Sequence, residues 1–262
     1  MTISVEDLLR GLNDLKLGPT PVILHASLKS FGQVSGGAEA VVEALASSFL
    51  AVLAPVFTYK TMVTPGVGPE NNALVYGSGQ DANRMAEFFS QDMPADPLMG
   101  IIPETLRLHP SASRSSHPIL SFAGINAESF LAAQTLVDPL GPLGALEKFG
   151  GWVLLLGVNH TVNTSIHYAE KLAGRRAFTR WALTPQGVVE CPAFPGCSAG
   201  FEAITPKMEK HTRCVQIGEA RVQAVPLKEL VAAVGGMIKK DPLALLCQQE
   251  DCERFNQIRR SV

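Results

Sequence analysis

A chain of 262 residues, 46% hydrophobic and 18% charged, can bury a sizeable core without staples and is too apolar to stay disordered. Its 22 basic and 24 acidic residues leave a net charge of −2, so no general field draws it to nucleic acid or an anionic membrane, and 6% aromatics give few platforms for stacking bases. Five cysteines, an odd count confined to residues 191–252, argue against a disulfide framework and for a reduced, cytoplasmic setting.

The opening MTISVEDLLRGLNDLKLG has an amphipathic helix pattern. Ser4 is placed to cap it with Asp7 three residues on, and Val5, Leu8, Leu9 and Leu12 share one face. With its acids, and without a basic start and apolar run, it does not read as a signal peptide. PVILHAS (21–27) reads as a buried strand, LKSFGQVSGG as a loop of small residues, AEAVVEALASSF (38–49) as a helix and AVLAPVFTY (51–59) as the next strand. This order predicts an α/β fold, a three-layer α/β/α sandwich. Residues 60–100 are rich in Gly, Pro, Asn and Asp, with one short helix expected near Ala82–Phe89; a loop that long in a compact chain is expected to line a site.

Pro103 suits the first turn of a helix, PETLRLH. HPILSFAGI (117–125) is strand-like, and Asn126 is placed to cap AESFLAAQ. A short helix in LGPLGALEKFGG leads to WVLLLGV (152–158), the clearest strand and far too short to cross a bilayer. NTSIHYAEKLAG reads as a helix with Thr164 as cap and Gly174 as stop. AFTRWAL with VVEC, and RCVQIG with EARVQAVPL, read as C-terminal hairpins. LKELVAAVGGMIKK is a helix, and Pro242 is expected to open the last one. With no repeat or linker, the expectation is a single domain over 1–262 with a mixed central sheet.

Three segments carry possible chemistry. The strand-to-helix loop HASLKSFGQVSGG has free backbone N–H groups, with Gly36 and Gly37 allowing close approach and Lys29 adding charge; it lacks GxGxxG and GxxxxGK[ST], so alone it is equally a plain turn. In SASRSSHP, Arg114 offers a guanidinium fork, Ser115 a hydroxyl and His117 an imidazole, or the segment is a polar surface turn. In NTSIHYAE, His167 and Glu170 lie three apart on one helical face, where both can look into one pocket; a solvated helix face is the plainer reading. No GxSxG elbow or Cys–His pairing signals a nucleophile. No HExxH or zinc-spaced cluster signals a metal, and Cys247 and Cys252, with no second pair, read as structural.

Taken together and in order, HASLKSFGQVSGGAEAVVEAL, the Pro-x-Phe-Thr of AVLAPVFTY, MGIIPETLRLHPSASRSSHP, LLLGVNHTVNTSIHYAE and GCSAGFEAI resemble the aminoglycoside 3-N-acetyltransferase family over residues 20–225. The resemblance implies an acetyl-CoA-dependent N-acetyltransferase with an α/β/α sandwich and no metal. It places Ser27, Leu28, Lys29 and Ser30 at the pantetheine arm and thioester, and Val34, Ser35 and Gly36 along the phosphate end. Arg114, Ser115 and His117 would also hold the cofactor. His167 would be the catalytic base, oriented by Glu170 or another acid such as Glu202, with acetyl passing directly to the 3-amino group of a 2-deoxystreptamine aminoglycoside. For a polycationic acceptor, Tyr59, Asp96, Glu104 and Glu202 are the candidate contacts. An acyltransferase acting on another amine or amino sugar, and a CoA-binding protein without turnover, are the alternatives. The expected partners are acetyl-CoA and a small amine, with no nucleic acid and no membrane, in a monomer or homodimer.

Overall fold

The computed structural model describes residues 2–262. In chain order its elements are β1 (Thr2–Ile3), α1 (Val5–Asp14), β2 (Pro21–Ala26), β3 (Gln33–Val34), α2 (Gly37–Ser48), β4 (Ala51–Pro55) and β5 (Met62–Val63). Next come α3 (Gln80–Arg84), α4 (Ile101–Leu108), β6 (Ala112–Arg114), β7 (Phe122–Ile125), α5 (Glu128–Leu131), α6 (Gly141–Phe149), β8 (Trp152–Leu156) and α7 (Thr164–Leu172). The rest are β9 (Phe178–Thr184), β10 (Gly187–Phe194), α8 (Thr205–Met208), β11 (Arg213–Ile217), β12 (Ala220–Pro226), α9 (Leu227–Lys240) and α10 (Glu253–Arg259). Among the described residues, no helix is long and apolar enough to cross a membrane.

The central sheet has seven strands in the order β11-β12-β8-β2-β4-β7-β6. Its middle three, β8, β2 and β4, are parallel, and antiparallel strands close both flanks. Both faces are covered, and the strands show it residue by residue. Val22, Leu24, Val52, Ala54, Leu154 and Leu156 face α1, α2 and α4, where Leu8, Leu12, Val41, Leu45, Ile102 and Leu106 wait for them. Ile23, Leu53, Val153 and Leu155 face the opposite layer, with Phe130, Leu143, Leu146, Ile166, Leu230 and Val234. Each Val, Leu, Ile or Phe among them contributes about 1.5–3 kcal/mol on burial, so the parallel centre is well anchored on both faces. The carboxyl ends of its three strands emerge on one edge, where open sheets place ligands.

The predicted three-layer architecture is present, and the local readings divide. Ser4 closes the expected capping box: its Oγ accepts the Asp7 N–H at 3.2 Å, and the Asp7 carboxylate accepts the Ser4 N–H at 3.0 Å. The hairpins separate: β11–β12 is the edge of the central sheet, whereas β9–β10 leaves it and pairs with β5 in a sheet of three. Two strands are shorter than their apolar runs. β4 stops at Pro55 and β7 begins only at Phe122, because residues 56–61 and 117–121 tie together irregularly. Thr58 and Thr61 donate their hydroxyls to the Pro118 carbonyl, each at 2.7 Å, and His117 Nδ1 accepts the N–H groups of Ile119 and Leu120.

Three caps also differ. Asn126 adopts a left-handed φ of 54° and ends β7, leaving Ala127 to precede α5. Asn163, not Thr164, caps α7 through its side chain, which accepts the Ser165 N–H at 3.1 Å. Pro242 opens no helix; Asp241–Cys252 runs through turns, with Leu245 at φ 65°, before α10. The helix expected at Ala82–Phe89 is the single turn α3, shifted toward the N-terminus.

Candidate active site

A cleft of about 720 Å³ opens at the carboxyl edge of the parallel strands. One wall is the end of β2 and the 3₁₀ turn after it, His25 to Lys29; a second is Phe57 and Tyr59 with Leu98–Ile101; a third is Val158, Thr161–Thr164 and His167; and the loop Phe194–Ser198 with Arg254 completes it.

His167 reaches the cleft because Asn163 fixes the start of α7. Its Nδ1 lies 2.8 Å from Glu170 Oε2, so the two residues, separated by one helical turn, are in direct contact. Glu170 is buried, and its other oxygen accepts from the Arg175 guanidinium at 2.9 Å. Arg175 then donates to the carbonyls of Pro242 and Ala244 at 2.8 and 2.9 Å. The Phe201 ring packs edge-on against the imidazole, 4.7 Å between centroids. An anionic carboxylate at Nδ1 selects the tautomer with hydrogen there, leaving the Nε2 lone pair for a proton. The imidazole is therefore held on two sides, by Glu170 and by the Phe201 ring.

Two more histidines lie close by. His25 is buried and lines the cleft, and among the described residues its Nε2 has no hydrogen-bond partner. Burial, reinforced by neighbouring His160, pushes it down to about 3. His160 is buried too, its Nδ1 3.1 Å from Asn163 Nδ2, and desolvation lowers it against the pull of Glu202.

Of the expected site residues, Ser27, Leu28, Lys29, Tyr59 and His167 line the cleft, and Glu170 stands behind His167. Burial raises the Tyr59 phenol to about 12, so it acts as a neutral hydroxyl. Ser30 turns away and donates to the Gly157 carbonyl at 2.7 Å. Val34, Ser35 and Gly36 sit outside the cleft at the start of α2, Gly36 being its N-cap at φ 79°. Asp96 lies near the rim, where its side chain accepts the Leu98 N–H. Glu104 is occupied by Arg107 and the Ala95 N–H; those bonds outweigh its desolvation and hold it below the usual carboxylate range. Glu202 accepts from the His160 N–H and Thr205, so Glu170 alone orients His167.

Arg114, Ser115 and His117 are in a different place. They line a separate depression of about 500 Å³ beside α5. Arg114 spends all five donors inside the protein, on Ser121 Oγ twice and on the carbonyls of Val56, Gln91 and Met93. Desolvation lowers it to about 10, and its guanidinium lies 5.5 Å from the Phe89 ring centroid. With no donor left for a phosphate, it pins the irregular segment 89–96 to the sheet edge. Arg114→Ala should accordingly leave CoA affinity within a few fold and lower stability by at least about 2 kcal/mol, since several buried carbonyls lose partners. Calorimetric titration with CoA beside denaturant unfolding checks both halves; a large loss of CoA affinity in a folded variant would restore Arg114 to the site.

His117 is held down to about 4 by burial. Histidines depressed in the folded state bind protons mainly once the chain unfolds, so their contribution is complete above about pH 6.5 and drains as pH falls toward 4. Each can cost up to about 1.4 kcal/mol per pH unit in that window. Unfolding free energy should fall steeply from pH 6.5 to 4, less so in His117→Asn, which keeps an acceptor for the turn. A flat profile would contradict neutral burial of these imidazoles.

His25 and the stretch Gly196–Phe201 fall inside segments marked in the sequence, HASLKSFGQVSGG and GCSAGFEAI, but were given no role of their own there, while Arg175 and Arg254 were not marked. His25 had a signal, since it opens the flagged segment and lies one residue before the end of the buried strand β2. Arg175 follows a helix-stop glycine, and nothing local marks it as the partner of Glu170.

The family model described as aminoglycoside 3-N-acetyltransferase matches residues 23–239. The chain belongs to the aminoglycoside 3-N-acetyltransferase family. Aminoglycoside N(3)-acetyltransferase IV of a Salmonella species is 31% identical, with 95% of this chain and 93% of that protein aligned. Aminoglycoside N(3)-acetyltransferase VII of Streptomyces paromomycinus is 39% identical over 63% of this chain and 59% of its own length. The crystal structure of apo AAC(3)-IVa superposes with a TM-score of 0.80 at 24% identity, covering 100% of this chain and 99% of that one. A binary complex of AAC-IIIb with CoASH superposes at 0.74 and 23% identity, covering 92% and 97%. These likenesses fix the α/β/α fold, and family membership makes the protein an acyltransferase.

Proposed function

We propose that the protein transfers the acetyl group of acetyl-CoA to the 3-amino group of a 2-deoxystreptamine aminoglycoside, with His167 as general base. The observation that carries this reading is the 2.8 Å contact of His167 Nδ1 with buried Glu170 inside the cleft. Acetyl-CoA supplies a thioester as acyl donor, and the cleft suits it. The first N–H groups of the 3₁₀ turn, at Leu28 and Lys29, are unused by the turn itself, and among the described residues the buried His25 Nε2 on the same wall has no partner. The exposed N-terminal end of α2, at Val34–Gly36, is the proposed seat of the phosphates.

An amine attacks only with its lone pair free. His167 Nε2 takes the proton as the nitrogen bonds to the carbonyl carbon, and Glu170 stabilises the imidazolium that results. The turn N–H groups at Leu28 and Lys29 face the charge gathering on the thioester oxygen. As the carbon–sulfur bond breaks, the imidazolium returns its proton to the departing thiolate. No residue need carry the acetyl group, so both substrates must be bound together.

A second acceptor class has its own support. Among the described residues, no Asp or Glu lines the cleft, while Lys29 and Arg254 do, which suits a less cationic amine. Acetyl-CoA offered with a panel of amines, followed by release of free thiol, tests both. Turnover with gentamicin-class aminoglycosides supports the first reading, turnover confined to other amines supports the second, and no release with any amine contradicts catalysis.

A further inference from the structure

The geometry points to a structural site for a soft divalent cation of the zinc class, built by Cys197, Cys247 and Cys252 beside the cleft. Their sulfur atoms all lie within 4.8 Å of one another, and none is in a disulfide. Zinc bound at about 2.3 Å to each of three sulfurs in a tetrahedral array spaces them about 3.8 Å apart, so a contraction of about 1 Å or less would close the site.

Three features go beyond three thiols packed by chance. First, the cysteines come from separate parts of the chain. Cys197 lies on the loop after β10, fifty residues from the pair in the turns before α10. Second, one sulfur already accepts a backbone N–H from the residue two places on: Ala199 N–H donates to Cys197 at 3.5 Å. Bonds of this kind orient thiolate ligands and share their charge. Third, the group is odd-numbered and mutually close. A disulfide would use two sulfurs and strand the third, whereas a metal uses all three. Among the described residues no His, Asp or Glu joins the group, which leaves zinc's fourth position to water. Binding exchanges three S–H protons for one cation and requires no oxidant.

The site has a consequence for the cleft. Cys197 lines it. The same loop packs so closely that a methyl group at Gly200 would overlap the Leu246 carbonyl, and it leads into Phe201, which rests on His167. The partner segment is held by Arg175, which also binds Glu170. A cation joining the two would fasten the surroundings of the His167–Glu170 pair without entering the acyl transfer.

The full-length chain, purified reduced with zinc and desalted, should retain one zinc per chain by mass-spectrometric metal analysis. Cobalt(II) in place of zinc should give a thiolate-to-metal charge-transfer band that saturates at one cobalt per chain. The Cys197→Ser/Cys252→Ser double variant should lose both, while Cys191→Ser and Cys214→Ser should keep both. The proposal is overturned if the reduced wild-type chain retains no zinc and shows no band, if the band survives in the double variant, or if the isolated protein carries a disulfide between any two of the three. The wild-type measurements decide the matter even where a variant fails to fold.

Discussion

Replacing His167 by alanine is expected to lower kcat by about 10²–10⁴-fold, the usual weight of a positioned general base, and to leave the Kd for CoA within a few fold. The separation follows from geometry. His167 meets the cleft with the atom proposed to take the proton, whereas the proposed cofactor contacts come from the turn after β2 and the start of α2. The residual rate should rise with pH in step with the fraction of unprotonated amine, because the variant must wait for a nucleophile that is already neutral. Normal turnover in His167→Ala would remove the base from the account, and a large loss of CoA affinity would make His167 a binding residue instead.

Glu170→Ala should be the most destabilising single change near the site, at about 3–5 kcal/mol, the cost of breaking a buried ion pair by removing one partner. Its carboxylate faces His167 on one oxygen and the buried Arg175 guanidinium on the other. Without it a positive charge remains in the core, and the imidazole loses the group that sets its tautomer. Arg175 keeps its bonds to Pro242 and Ala244, so the damage should centre on α7 and the C-terminal turns. Glu170→Gln retains an acceptor for Nδ1–H and should fold better while still losing most of kcat, since it cannot balance an imidazolium. Denaturant unfolding and kcat on the same preparations separate the two effects. Wild-type stability in Glu170→Ala would show that the pair is not the buried anchor described.

What the sequence disclosed tracks how local the governing physics is. The capping box at Ser4 and Asp7 and the runs VILH, AVLA and WVLLL are decided by neighbours along the chain, and they stand where the pattern put them. The ends of β4 and β7 are not local: Thr58 and Thr61 find the Pro118 carbonyl some sixty residues away, and no period in AVLAPVFTY announces it. The site divides in the same way. His167 and Glu170 share a helical face by spacing alone, so one cleft for both was legible. That Arg175 holds Glu170, and that Arg114 is consumed by three distant carbonyls, follows only from the folded chain. A guanidinium in a Ser-rich turn looks like a phosphate site until its five donors are traced. Cys247 and Cys252 were visible as a pair, but Cys197 joins them only through the fold.

The central claim is that an activated ester sulfur and an oriented imidazole share the cleft at the carboxyl edge of β2 and β8. A crystal structure of the chain with CoA tests it most directly. The sulfur should lie against Ser27–Lys29, facing His167 Nε2 across a gap that admits one attacking nitrogen at about 3–3.5 Å from the acyl carbon. A sulfur placed outside this cleft, or screened from His167, would contradict the mechanism.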